Sequence, residues 1–160
     1  MSRLARFKLF LWYFGQFKVP LIGHLKPQII NLTDNEIVIK LALRRRSKNH
    51  LQSMYFGALA VGADIAGGLH GLYHAQKANV AVSLAFKSFH AQFLRRPESD
   101  VYFTCDMGEA VKNMISKSQE TGERINQMIK IQAYTNFPSL PDHVASFELE
   151  LSLKVLPARK

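Results

Sequence analysis

Apolar and polar positions alternate through much of this chain, and the phase of the alternation marks out its elements. Pro27 opens the run Gln28-Ile29-Ile30-Asn31-Leu32. From Glu36 to Leu43, Ile37, Ile39, Leu41 and Leu43 share one face. Thr33-Asp34-Asn35 between the two runs is turn chemistry, so the pair reads as a β-hairpin. Val80, Val82, Leu84 and Phe86 occupy even positions, whereas Phe89, Ala91 and Phe93 continue on odd ones. A slip of phase near Lys87-Ser88 is what a β-bulge produces. Val101, Phe103 and Cys105 form a short strand after the Arg96-Pro97-Glu98-Ser99 turn. Ile125 to Tyr134 alternates again, and the clearest strand carries Phe147, Leu149, Leu151, Leu153 and Val155 opposite Glu148, Glu150, Ser152 and Lys154.

Three segments have helical spacing instead. Leu4, Phe7, Leu11, Phe14 and Lys18 suggest an amphipathic first helix that docks on the body of the domain, with residues 1–24 as helix and linker. Leu51 to Ala75 is weakly polar, with Asp64 as its only charged residue, and reads as a helix capped near Ser53. Asp106 with Glu109 resembles a capping box for a helix carrying Met107, Ala110, Met114 and Ile115, and Gly122 is its stop. Helix, hairpin, long apolar helix, two strands, short helix, two strands is an α+β order in which a curved antiparallel sheet wraps one long helix.

Composition adds limits. At 160 residues the chain is sized for one domain, and 48% hydrophobic with 21% charged residues is a globular balance. The lone Cys105 can form neither an internal disulfide nor a structural zinc site, which fits a reducing cytoplasm. The run Leu9 to Phe14 behind Arg3 and Arg6 is too short to span a bilayer and lacks a cleavage site, so no stable membrane insertion is expected. Lying on a membrane surface is the alternative use of that helix. The formal charge of +9 favours an anionic partner. Its excess is concentrated at Arg44-Arg45-Arg46 with Lys48, at Arg95-Arg96, and at Arg3, Arg6, Lys8, Arg159 and Lys160. No recognition-helix or base-stacking motif accompanies it, so nucleic acid is not the expected partner.

Asp64 is the residue that elementary physics singles out. A carboxylate in the middle of an apolar helix loses hydration that a partner, water or a proton must replace. On a helical wheel Met54, Val61, Ile65, Leu69 and Leu72 form the large apolar stripe, and Gly57, Ala60, Gly68 and Gly71 surround Asp64 on the adjoining face. Small residues beside an acid leave room for a slender ligand such as a pantetheine arm. Close packing, with Asp64 in a structural hydrogen bond, is the competing account. His70 and His74 lie four apart, but no Glu follows His70 as in the zinc-protease pattern, and no metal is expected. Cys105 has no evident base beside it.

The stretch Asn49-His50-Leu51-Gln52-Ser53-Met54-Tyr55-Phe56-Gly57-Ala58 through Asp64 to Gly67-Gly68 resembles the signature of hotdog-fold acyl-CoA thioesterases of the phenylacetate-pathway type. In that family an Asn is followed six residues later by His-Gly-Gly, and an acid follows the His by nine. Phe93-Leu94-Arg95-Arg96-Pro97 resembles the family's strand-ending segment, and the wording around Asn49 and at Thr121-Gly122-Glu123 is similar to an uncharacterised thioesterase-like branch. Tyr55 and Phe56 stand where the family has His and Gly.

The resemblance implies a hotdog domain over residues 1–160 that hydrolyses an acyl thioester without metal or redox cofactor. Asp64 would be the general base or the nucleophile, Asn49 would hydrogen-bond the carbonyl or the attacking water, and the backbone N–H groups of Phe56 and Gly57 would form an oxyanion hole. Tyr55, Ala60, Gly68, Arg46 and Arg95 would contact substrate, the arginines through CoA phosphates. A homodimer or dimer of dimers is implied, with Asn49 and Asp64 contributed by opposite chains. A non-catalytic acyl-CoA binder on the same fold is the alternative. A hotdog dehydratase lacks a matching histidine.

Overall fold

The computed structural model describes residues 2–157, so Arg159 and Lys160 lie outside it. Two helices, α1 (Arg3–Phe17) and α2 (Pro20–Leu25), precede the hairpin β1 (Gln28–Leu32) and β2 (Ile37–Leu41). The long helix α3 (Phe56–Lys77) follows, then β3 (Val82–Phe93), β4 (Val101–Cys105), α4 (Gly108–Thr121), β5 (Ile125–Thr135) and β6 (Asp142–Val155). The strands form one antiparallel sheet in the order β1-β2-β4-β5-β6-β3, and α3 packs on five of its strands. This is the α+β hotdog arrangement that the sequence implied. The β3–β6 register slips between Phe86 and Phe89, which is the bulge expected from the change of phase.

Three local expectations need correction. The helix does not begin near Ser53: the Ser53 carbonyl accepts from Asn49 N–H, Met54 N–H donates to the Pro97 carbonyl, and Tyr55 becomes the N-cap. Residues 49–54 are therefore a closed loop, with Gln52 at φ +63°. Asp106 does not cap α4, whose N-cap is Met107 without a side-chain bond. Instead Gly108 N–H donates to the Asn35 carbonyl, and Gly108 sits against the backbone of the Asp34–Asn35 turn with no room for a Cβ. Gly122 does stop the helix, at φ +71°. Finally, the linker after α1 is itself helical, because Pro20 takes the first helical position. Gly15 and Gly23 let α1 and α2 meet back to back, a Cβ on Gly15 falling 2.8 Å from Gly23 Cα.

Glycines let α3 approach the curved sheet closely on more than one side. A Cβ on Gly62 would run into the Phe103 ring, one on Gly71 into Leu84, and one on Gly67 would stand 3.3 Å from Ile131. Val61 and Leu72, assigned to the large apolar stripe, are only partly buried. Gly62→Ala should accordingly destabilise the fold by about 1–3 kcal/mol through overpacking. In thermal unfolding that corresponds to a fall of roughly 2–12 °C for a chain of this size.

Candidate functional site

Asp64 lies in the third turn of α3, half-buried, on the side that looks across a cavity toward α1 and α2. Its carboxyl faces a cavity of about 280 Å³ lined by Phe10, Phe14, Val19 and Ile22 from the roof, Gly68, Leu69 and Leu72 from α3, and Leu84 and Phe86 from β3. Among the described residues no donor or cation reaches Asp64. Burial alone acts on it and raises its pKa above the ordinary 3.8. Every other carboxylate with a resolved shift is held low by a partner: Asp34 is lowered to about 2 by Lys77 and Tyr73, and Asp100 is lowered by Lys40 despite desolvation.

The roof was not legible as part of a site. The spacing of Phe7, Leu11 and Phe14 indicates docking, but only the fold brings Phe10, Phe14 and Ile22 over Asp64. A second cavity of about 590 Å³ adjoins the first at Phe10 and Leu72 and opens between Arg6, Phe7, Gln76 and Asn79. The roofed groove thus continues along α3 toward its C-terminal end.

The remaining expected site residues lie elsewhere in the chain. At 1.5 Å per residue, the Phe56 and Gly57 amides at the start of α3 are about 12 Å from Asp64 along the helix axis. The first helical bonds run from Ala58 and Leu59 N–H to the Tyr55 carbonyl, so the amides of Phe56 and Gly57 precede them. The Tyr55 ring lies over Gly57, where an added Cβ would be 2.5 Å from its Cε1. Asn49 Oδ1 accepts from Leu51 N–H at 2.9 Å and from Ser53 N–H and Oγ at 3.2 Å, which commits the oxygen to the loop and leaves Nδ2 to donate.

Of the small residues, Gly68 lines the Asp64 cavity, with Phe86 and Leu84 beyond 3.5 Å from its Cβ direction; Ala60 does not line it. Arg46 donates to the His24 carbonyl and borders a basic cleft with Arg44 and Arg45. Arg95 is exposed and 3.6 Å from Asp142. Neither arginine reaches the Asp64 cavity.

The imidazoles of His70 and His74 donate from Nε2 to the Thr33 and Asp34 carbonyls, stitching α3 to the hairpin turn. Burial pushes His70 down to about 4, so it is neutral at pH 7. Cys105 is buried, and desolvation pushes its thiol up to about 11, far from a reactive thiolate.

Solved structures share this architecture at low sequence identity. A protein provisionally assigned as a thioesterase from Shewanella oneidensis superposes with a TM-score of 0.78 at 14% identity, covering 96% of this chain and 97% of its own. A protein of unknown function from Chlorobaculum tepidum gives 0.81 at 13% identity over 94% and 96%. A thioesterase from Haemophilus influenzae gives 0.69 at 14% identity over 100% and 96%. At such identities the likeness establishes the fold. No curated protein matches the sequence significantly. The family model described as a domain of unknown function, DUF4442, matches residues 7–139, and the chain belongs to that family.

Proposed function

We propose that this protein hydrolyses an acyl thioester, with Asp64 as the base that activates water or as the nucleophile. The observation that carries the reading is the unpartnered carboxyl of Asp64 on the wall of a roofed apolar groove. A carboxylate half-buried without a structural partner lowers stability, and such groups persist where chemistry uses them. The groove suits an apolar acyl chain, and Asp64 at its inner end would stand beside the thioester carbon. The thioesterase described from Haemophilus influenzae has the same fold.

The geometry also supports a homodimer as the active form. Oxyanion donors must lie about 3 Å from the reacting oxygen, and the amides of Phe56 and Gly57 stand about 12 Å from Asp64 in their own chain. A second copy would supply the complementary half. β3 is a sheet edge, Phe89, Phe93 and Leu94 along and just after it are exposed, and the Phe93 ring stands 6.5 Å from that of the exposed Phe56. That surface would accommodate the partner, with the CoA phosphates meeting the cleft of Arg44, Arg45 and Arg46. No metal or redox cofactor enters this scheme.

The test is hydrolysis across a panel of acyl-CoA thioesters of graded length, scored by thiol release. Turnover of at least one saturated acyl-CoA, lost on dilution to monomer, is expected. The second reading, an acyl-CoA binder without catalysis, is favoured by one observation: the Tyr55 ring occupying the space over Gly57. Saturable binding without thiol release would select it.

A further inference from the structure

Helix α1 is apolar on two sides, and only one is explained by the fold. Phe7, Leu11 and Gly15 are buried against the body, and Phe10 and Phe14 roof the groove. On the solvent side Leu9 is 55% exposed, Trp12 58%, and Phe17 64%, with Tyr13 beside them and Leu21 of α2 extending the patch. The rings form a cluster: Trp12 meets Phe17 edge-on at 6.3 Å between centroids, and Tyr13 lies 5.0 Å from Phe17. A helix exposing this much aromatic surface needs a second apolar environment.

Charge decides which environment. Residues 1–33 hold Arg3, Arg6, Lys8, Lys18 and Lys26 and contain no Asp or Glu. Lys8 and Lys18 are exposed along the patch, and Lys8 borders the same cleft as the exposed Ile30. A two-fold contact between copies through this face would set each copy's lysines against the other's with no acid to offset them. Trp and Tyr among cations, with Leu and Phe between, match instead the interface of an anionic bilayer.

We propose that the outer face of α1, with Leu21 of α2, docks reversibly on anionic lipid membranes. The helix lies in the headgroup plane. Trp12, Tyr13, Phe17 and Leu9 enter the acyl boundary while Lys8 and Lys18 meet lipid phosphates. Among the described residues no helix is long and apolar enough to cross a membrane, so docking is peripheral. The opposite face of the same helix roofs the Asp64 groove, so the docked helix is also the groove's cover. The proposal stands on the exposed face and its charge, independently of the catalytic reading.

Trp12 is the sole tryptophan, so its emission reports this face directly. The full chain is titrated with phosphatidylglycerol–phosphatidylcholine vesicles and with pure phosphatidylcholine vesicles. A blue shift with anionic vesicles, reversed by salt and quenched by brominated acyl chains, is expected, with little change on neutral ones. The double variant Lys8→Gln/Lys18→Gln should weaken partitioning about thirtyfold, at about fivefold per cation. Phe17→Ser should weaken it while leaving the far-ultraviolet circular dichroism unchanged. Absence of the shift, an equal shift on neutral vesicles, or indifference to both variants would overturn the proposal. So would a lipid-independent blue shift that grows with protein concentration, or one produced by an acidic protein alone, which would assign the face to a protein partner.

Discussion

Asp64→Asn is expected to reduce thioester turnover by roughly 10²–10⁴-fold, the range of a general acid–base group, while the protein remains at least as stable as before. The second half of that expectation separates catalysis from structure. Desolvation raises the folded-state pKa of Asp64 above 3.8. The group's contribution to stability is therefore complete below the unfolded value and is lost as pH rises through the raised folded value. Wherever the native chain holds Asp64 ionised, burial disfavours that charge, and an amide would relieve the penalty. Thermal unfolding of Asp64→Asn should thus occur at the same or a higher temperature. The same shift predicts an acid limb in the rate profile, with activity appearing as pH rises through a value above 3.8 and the limb vanishing in the variant. A variant that loses stability and activity together would make Asp64 structural, and unchanged turnover would remove it from the mechanism.

The second large effect is expected at Asn49, where two substitutions divide two roles. Oδ1 accepts three hydrogen bonds within residues 49–53, so Asn49→Ala strips the loop of its acceptor. That should cost about 1–3 kcal/mol. Asn49→Asp keeps the acceptor and deletes the Nδ2 donor while adding a negative charge. If Nδ2 donates to the developing oxyanion, Asn49→Asp should reduce turnover on the order of 10²–10³-fold with the unfolding temperature preserved. A fully active Asn49→Asp protein would confine Asn49 to holding the loop.

These tests concern residues that stood out in the sequence for unequal reasons. Asp64 was visible because a single charge in an otherwise apolar helix is a local fact. Asn49 was visible only through its spacing to the residues after it, and spacing did not show that three loop donors occupy its oxygen. Arg46 and Arg95 drew notice through charge, and the structure engages them with the His24 carbonyl and with Asp142.

Alternation with period two is short-range, which is why the hairpin around Asp34, the bulge between Phe86 and Phe89, and β6 could be read directly from residue order. The hydrophobic period of α1 likewise announced a docked helix. What could not be read are matters of contact between distant segments. The start of α3 at Phe56 depends on Ser47 and Pro97 accepting from Tyr55 and Met54. The close seating of α3 in the sheet is decided by Phe103, Ile131, Leu84 and Leu153, which reach Gly62, Gly67 and Gly71, glycines that a wheel cannot distinguish from those of a ligand groove. On a helix apolar nearly all round, amphipathicity carries no direction, and complementarity of volume with the sheet selects the face. The roof over Asp64 likewise depends on Gly15 and Gly23 bringing α1 and α2 together and folding Phe10, Phe14 and Ile22 back across the chain. Residue order therefore supplied the acid and the elements, and long-range packing turned an isolated carboxylate into one end of a groove.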